Sequence, residues 1–425
     1  MSTDQKSHGL QSVATVPLAH GHFYGLRAAV PSIVALTGTF RTGTALAPGG
    51  TVLQSLVAAL VGCANRRRGP VEIAELLEAR GASFTVEADA DGVRFSARAR
   101  TVDLPQLVDW TMECLREPEF DQTLLDVERA RLIAELQYRA MDSAYIATGA
   151  LTRMLYPQAH PAYEPGPAEQ VALLEGFTVA DVRRFHSERY GANDLRIAVV
   201  GDVDPQAAAR LVERGVQGWA PRAVPEATQW SEHAAGPDSQ RLLLPGQESY
   251  GVAMGQRLAQ ERTHPDYPAL RLANRILGGA FSSRLVSSVR ERQGLCYVMR
   301  SELGESRRGG GHWQVVLSAS PDKLEAALAA TRTVIEQLAK TGVETREFEN
   351  AQRAAIGAFH IGLATLDGLS DAILSAADLG WEPDDLLGFE RRTAAVTLAQ
   401  IDRVIGYCLR PQEWRTCIAG PAAAD

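Results

Sequence analysis

Residues able to do chemistry are scattered through this chain. The nine histidines are His8, His20, His22, His160, His186, His233, His264, His312 and His360. Nowhere do they form His-x-x-Glu-His in either orientation, the helical spacing that sets two imidazoles and a carboxylate around one zinc ion. His20-Gly21-His22 offers two imidazoles, but in a polar stretch where such pairs are mostly solvated. The five cysteines, Cys63, Cys114, Cys296, Cys408 and Cys417, are odd in number and contain no Cys-x-x-Cys. They read as reduced thiols rather than as a disulfide framework or a thiolate metal site. Cys296 has no histidine beside it in sequence to raise its reactivity. Gly309-Gly310-Gly311 precedes a strand-like stretch rather than a helix, so it reads as a hairpin turn and not a phosphate cradle. Gly201-Asp202 follows LRIAVV, yet no Gly-x-Gly-x-x-Gly comes after it. No Ser/His/Asp or Cys/His set is legible.

Composition narrows the classes further. The chain has 425 residues, 45% apolar and 22% charged, which is ordinary globular usage. Lys+Arg is 43 against 51 for Asp+Glu, a formal net charge of −8. An acidic chain whose densest basic run is Arg66-Arg67-Arg68 is a poor nucleic-acid binder. No stretch reaches the ~18 consecutive apolar residues of a membrane span. The opening MSTDQKSHGL lacks the basic start and apolar core of a signal peptide. The expectation is a cytoplasmic protein that meets neither membrane nor nucleic acid.

The elements that must position any site follow from periodicity. Residues up to about Phe23 read as a loose lead-in, and Val30 to Phe40 as a buried strand. The apolar run TVLQSLVAALVGCA reads as a buried helix with Thr51 suited to cap it. Pro70 opens the next helix, VEIAELLEARG, and SFTVEADADGVRFSARAR alternates around Asp91-Gly92 as a hairpin. Helical patterning resumes from Leu104 to about Met141 and again in FTVADVRRFHSERYG, before the strand LRIAVVGDVD. The stretch from Trp219 to Gln240 is rich in proline and polar residues and reads as a linker. Beyond it the grammar repeats: a strand (SYGVAMGQRL), a helix ended by Gly278-Gly279, a short helix from Leu285 to Arg292, a hairpin, then long helices. Two copies of an α+β unit of ~200 residues explain this better than one large core. The expected division is a first domain at 1–218, a linker at 219–240 and a second domain at 241–425. Each domain is expected to be a mostly antiparallel sheet with helices packed on one face.

Several blocks, in this order, resemble the pitrilysin/insulinase-type zinc peptidases, which include the mitochondrial processing peptidase. VEIAELLEARGASFTVEADADGVRFSA resembles the segment after that family's zinc helix, and VERARLIAEL its Glu-bearing helix. HPAYEPGPAEQVALLEGFTVADVRRFHSERYGANDLRIAVVGDVD resembles the stretch closing its first domain. LGGAFSSRLVSSVRERQGLCY resembles its most diagnostic block in the second. The resemblance runs from about Val30 to Cys417. It implies two homologous domains that close, with a partner subunit, like a clamshell around a peptide.

What the resemblance implies for the chemistry divides between the halves. The family's inverted zinc motif should fall on Ser55 to Ala59, where Ser55 and Ala59 replace the two histidines and Ala58 the glutamate base. Methyl groups bind no metal and move no proton, and serine is a poor zinc ligand. Glu135 stands at the distal ligand position and Glu128 at that of a supporting glutamate. Seven residues apart, they share one helix face and read first as solvated charges paired with Arg129 or Arg131, a residual electrostatic or metal role being the alternative. In the second half, Arg290 and Tyr297 match a pair that reaches the substrate at the zinc site of the other half. An arginine can hold a peptide carbonyl with its fork of donors, and a tyrosine hydroxyl can donate to the oxyanion formed on hydrolysis. The alternative for these two is a helix-end arginine and a half-buried strand tyrosine. The expected function is therefore a zinc-less subunit of a heterodimeric metallopeptidase, with no metal of its own. Zinc is expected in a homologous partner, and unfolded or short peptides as substrate. The alternatives are a structural, core-protein-like scaffold or a peptide-binding regulatory module.

Overall fold

The computed structural model describes residues 12–43, 49–89, 92–160, 162–225, 238–304, 311–382 and 387–422. Alternating apolar residues build two sheets. The first has strands β1 (Ala14–Leu18), β2 (Gly21–Arg27), β3 (Ile33–Arg41), β4 (Ser83–Ala88), β5 (Gly92–Arg100) and β6 (Leu195–Gly201), in spatial order β1-β2-β6-β3-β5-β4. Only β2 and β6 run parallel, in register Gly21↔Leu195. The second has β7 (Ser239–Leu243), β8 (Tyr250–Arg257), β9 (Met299–Gly304), β10 (His312–Ala319) and β11 (Arg415–Gly420), in order β7-β11-β8-β10-β9, with β7 and β11 parallel. In chain order the helices are α1 (Gly50–Val61), α2 (Pro70–Glu78), α3 (Leu104–Arg116), α4 (Gln122–Arg139), α5 (Ser143–Leu155), α6 (Pro167–Gly176) and α7 (Val179–Arg189). They continue with α8 (Pro205–Val216), α9 (Tyr267–Leu277), α10 (Leu324–Thr341), α11 (Thr345–Gly362), α12 (Leu366–Asp378), α13 (Gly388–Ala394) and α14 (Leu398–Cys408).

The expected α+β architecture of two mostly antiparallel sheets is thus present. Two local expectations change. The supposed lead-in forms the antiparallel pair β1–β2, with Phe23 and Tyr24 buried in the sheet. The cap of α1 is Gly49 rather than Thr51. The tip of the expected Asp91-Gly92 turn lies partly outside the described residues.

Strand alternation gives each sheet two apolar faces. In the first unit, Phe23, Val34, Leu36, Ile197 and Val199 are fully buried, and α8, α1 and α3 pack against strands β2, β4 and β5. The opposite face, Tyr24, Leu26, Ala35, Ala198 and Val200, packs against Leu366, Leu369, Ile373 and Leu374 of α12. Aspartates along α12 extend that contact, with Asp367 paired to Arg98, Asp371 to Arg94 and Asp378 to Arg196. In the second unit, α9, α10 and α14 pack on Val252, Met254, Trp313, Val315 and Leu317. The opposite face, Ala253, Cys417 and Ala419, receives Ile146, Ala147, Ala150 and Leu151 of α5. That face is built of small residues for a reason. A Cβ on Gly251 of β8 would stand 2.2 Å from the backbone nitrogen of Ala144, so only glycine lets α5 descend onto the strand.

The compact units therefore interleave along the chain. One comprises Met1–Leu132, Leu173–Ala227 and His360–Gly388; the other Ile133–Ala172, Thr228–Phe359 and Phe389–Asp425. Each borrows a covering helix from the opposite half of the sequence. Trp219, at the head of the expected linker, is buried edge-on against Phe40 at 5.4 Å. Residues 239–240 at its other end belong to β7, and 226–237 lie outside the described residues.

Two histidines, His312 buried and His186 half-buried, give the fold a pH signature. His186 donates from Nε2 to the Leu115 carbonyl at 2.9 Å, and His312 contacts the Tyr156 hydroxyl through Nδ1 at 3.0 Å. Burial pushes both down to about 4, from the ordinary 6.5. The unfolded chain takes up these protons first, so stability is full above pH 6.5 and declines as pH falls from 6.5 toward 4. Each histidine contributes about 3 kcal/mol at most to that decline. In urea titrations from pH 7 to pH 4, His312→Gln is expected to flatten the slope; an unchanged slope would count against this assignment.

Candidate functional site

In the second unit the site is built on the junction between α9 and β9. The Ser301 backbone N–H donates to the Gly278 carbonyl at 3.1 Å. The Ser301 hydroxyl donates to Asn274 Oδ1 at 2.7 Å and accepts from the buried Trp313 indole at 2.9 Å. These bonds pin the end of α9 to the sheet. A Cβ on Gly278 would lie 2.6 Å from the Ser301 Cβ, so the close approach requires glycine there. After the turn, Arg284 forms two bonds to Glu347, at 2.9 and 2.6 Å, and a third to the Gly342 carbonyl. Val286–Arg292 then forms a π-helix with Val286 and Val289 in the core and Arg290 on its outer side. Such wide turns recur at functional sites.

Arg290 and Tyr297, matched from sequence, are brought together. The Arg290 guanidinium lies 5.6 Å from the Tyr297 ring centroid, within cation–π range, and its Nε pairs with Glu291 at 3.4 Å. Tyr297 is 81% exposed, so the reading of it as a half-buried strand residue does not hold. Among the described residues its hydroxyl has no hydrogen-bond partner. A second ring completes the group: Phe281, 69% exposed, lies 5.8 Å from the same guanidinium. Sequence reasoning missed Phe281. The one signal available was its place just past Gly278-Gly279, where the helical period of α9 has ended and the core no longer needs an apolar residue. Cys296 is next to Tyr297, but burial raises its thiol to about 11 against the opposing charge of Arg290, which makes it a weak nucleophile at neutral pH.

In the first unit, Ser55, Ala58 and Ala59 lie on α1 as the sequence spacing predicts. Ser55 is exposed and donates to the Thr51 carbonyl at 3.1 Å; Ala59, one turn on, is partly exposed. Ala58 is only 2% exposed and is packed into the core. A hydroxyl and two methyl groups do not fit a zinc ion. Among the described residues no group of three or more His, Cys, Asp or Glu could hold a metal. Glu128, on α4, accepts from Arg131 Nε at 2.7 Å and lies 3.8 Å from the Cys63 sulfur. Burial, reinforced by the Glu128 charge, pushes that thiol up to about 12. The expected pairing with an arginine is therefore present for Glu128. Glu135, two turns on, is on the exposed side of α4.

The face of α1 retains helical spacing for two ligands. Ser55→His with Ala59→His is expected to bind Zn²⁺ or Ni²⁺ through imidazoles one turn apart. At free metal about 100-fold above Kd the double variant should gain about 2.7 kcal/mol in urea unfolding, and the native chain nothing. No gain would mean that this face cannot present two imidazoles together.

Comparison with known proteins bears on both sites. Residues 59–163 match the family model described as insulinase (peptidase family M16), and residues 176–355 that described as peptidase M16 inactive domain. The chain belongs to the M16 peptidase family. It is a member without His-x-x-Glu-His, and the first match begins at Ala59, past the positions of Ser55 and Ala58. It is 26% identical over 344 residues to an uncharacterized zinc protease of Mycobacterium tuberculosis, covering 79% of this chain and 75% of that one. It is 21% identical over 314 residues to a protein of Helicobacter pylori named a non-peptidase homolog, covering 72% and 69%. Among solved structures, a peptidase M16 inactive domain from Pseudomonas fluorescens superposes with a TM-score of 0.86 at 23% identity, over 98% of this chain and 99% of that one. That likeness establishes the two-unit M16 fold. Among the described residues no helix is long and apolar enough to cross a membrane.

Proposed function

We propose that this chain is a non-catalytic subunit of a two-subunit M16 peptidase. A homologous partner carries His-x-x-Glu-His, the zinc ion and the general base. This chain contributes Arg290 and Tyr297 to the peptide held at that site. The substrate is an unfolded or short peptide, whose backbone carbonyl the guanidinium holds and whose oxyanion the phenol stabilises. One observation carries the reading. A chain whose α1 offers only Ser55, Ala58 and Ala59 still holds Arg290 and Tyr297 side by side, with the phenol turned to solvent.

The test is reconstitution. The chain is purified alone, and together with a His-x-x-Glu-His-bearing M16 protein encoded beside it, and both are assayed on quenched fluorogenic peptides. Turnover by the mixture alone, abolished by chelator, is the expected result. Chelator-sensitive turnover by this chain alone, or none by the mixture, would sink the proposal. The name of the Helicobacter pylori relative favours a second reading, a scaffold or peptide-binding regulator without proteolysis. Under that reading the mixture assembles, and Arg290→Ala leaves every activity of the assembly unchanged.

A further inference from the structure

Phe281 is an apolar side chain left 69% exposed beside a cation, and the geometry explains why. Arg290 lies within cation–π distance of two rings, 5.8 Å from the Phe281 centroid and 5.6 Å from that of Tyr297. A long arginine side chain at a surface samples many rotamers, and each must be given up when it grips a ligand. Two rings at that distance restrict that sampling before any ligand arrives. The backbone beneath Phe281 is itself fixed, because Gly278 is bonded to Ser301 and Ser301 to Asn274 and Trp313.

We propose that Phe281 is the positioning residue of the Arg290–Tyr297 pair: its ring holds the guanidinium over Tyr297, leaving the arginine N–H groups and the phenol presented toward one acceptor. This rests on the function proposed above for its consequence in turnover, but not for its physical content. Phe281 touches Arg290 and acts through it.

The first arm uses the isolated full-length chain and needs no partner. The Arg290 Nε–Hε resonance, assigned by its loss in Arg290→Lys, is read by NMR in the native chain and in Phe281→Ala, Phe281→Leu and Phe281→Tyr. The native signal should show the upfield ring-current shift of a proton near aromatic faces. Ala and Leu should both return it toward the position of a free arginine, and Tyr should retain it. An unmoved signal in Phe281→Ala, or retention in Phe281→Leu, overturns the proposal. Because Phe281 is exposed, these variants are expected to fold.

The second arm uses the reconstituted pair. Phe281→Ala should lower kcat/KM about three- to fivefold, the size of an exposed cation–π contact, with Phe281→Tyr restoring it. In an Arg290→Ala background the same change should have no further effect. Additive losses would overturn the positioning role. If Arg290→Ala itself leaves turnover unchanged, the proposed function fails, while the spectroscopic arm still decides the role of Phe281.

Discussion

Tyr297→Phe in the reconstituted pair should lower kcat by about 10²-fold and leave KM within about twofold, since under the proposed function only a donor to the developing oxyanion is lost. The substitution keeps the ring. The contact with Arg290 at 5.6 Å and the chain path beside Ser318, whose carbonyl accepts from the Tyr297 N–H at 3.3 Å, both survive. Any effect therefore reports the hydroxyl, which is turned to solvent and has no hydrogen-bond partner among the described residues. Arg290→Ala behaves differently. Under the proposed function it removes a contact made in the ground state as well as in the transition state, so KM should rise along with the fall in kcat. Steady-state kinetics at saturating partner separate the two patterns. A Tyr297→Phe pair as active as the native one would remove the hydroxyl from the mechanism.

Trp313→Ala should cost about 3–5 kcal/mol, measured by urea or thermal unfolding, because Trp313 is the bulkiest fully buried side chain among the described residues and its loss leaves a cavity in the second unit. Its indole also donates to the Ser301 hydroxyl at 2.9 Å, and that hydroxyl in turn donates to Asn274. Trp313→Phe refills much of the volume but cannot donate, so it should cost less than the alanine change. Both variants loosen the base of the turn that carries Phe281 and Arg290. A reconstituted Trp313→Phe pair should therefore lose activity out of proportion to its loss of stability. If the phenylalanine variant is as active as native, the Ser301 bonds are not what fixes the site.

The parts of this structure legible in the sequence are those set by local pattern. The alternation of SFTVEA and GVRFSARAR gives β4 and β5, and Pro70 marks the start of α2. The internal repeat also gives two α+β units. The edge strand β1 is hard to read because Pro17 interrupts the short alternation of Ala14, Val16 and Leu18, and the partner that orders it, β2, contains Gly21 and Gly25. Nor could periodicity say which sheet a helix covers. The stripe Leu366, Leu369, Ile373 of α12 fits any apolar face; the structure places it on the first sheet, where Arg94, Arg98 and Arg196 stand opposite its aspartates. At the site, motif context located Arg290 and Tyr297. Phe281 escaped because an exposed ring leaves no period. The separate fates of Ser55, Ala58 and Ala59, one solvated, one packed and one between, needed the packing of α1 to be seen.

The borrowed helices have a consequence for the nascent chain. A ribosome makes this polypeptide from one end, so every strand of the first sheet has emerged by Gly201, long before Asp378 completes the helix that covers its second face. In the interval Tyr24, Leu26, Ala198 and Val200 stay open to water on a formed or forming sheet. The helix at Ser143–Leu155, in contrast, emerges early and waits for a sheet not yet synthesised. The first sheet is covered on both faces only once Asp378 has been made, and the second only once β11 has joined it, so each exposes apolar surface until distant residues arrive.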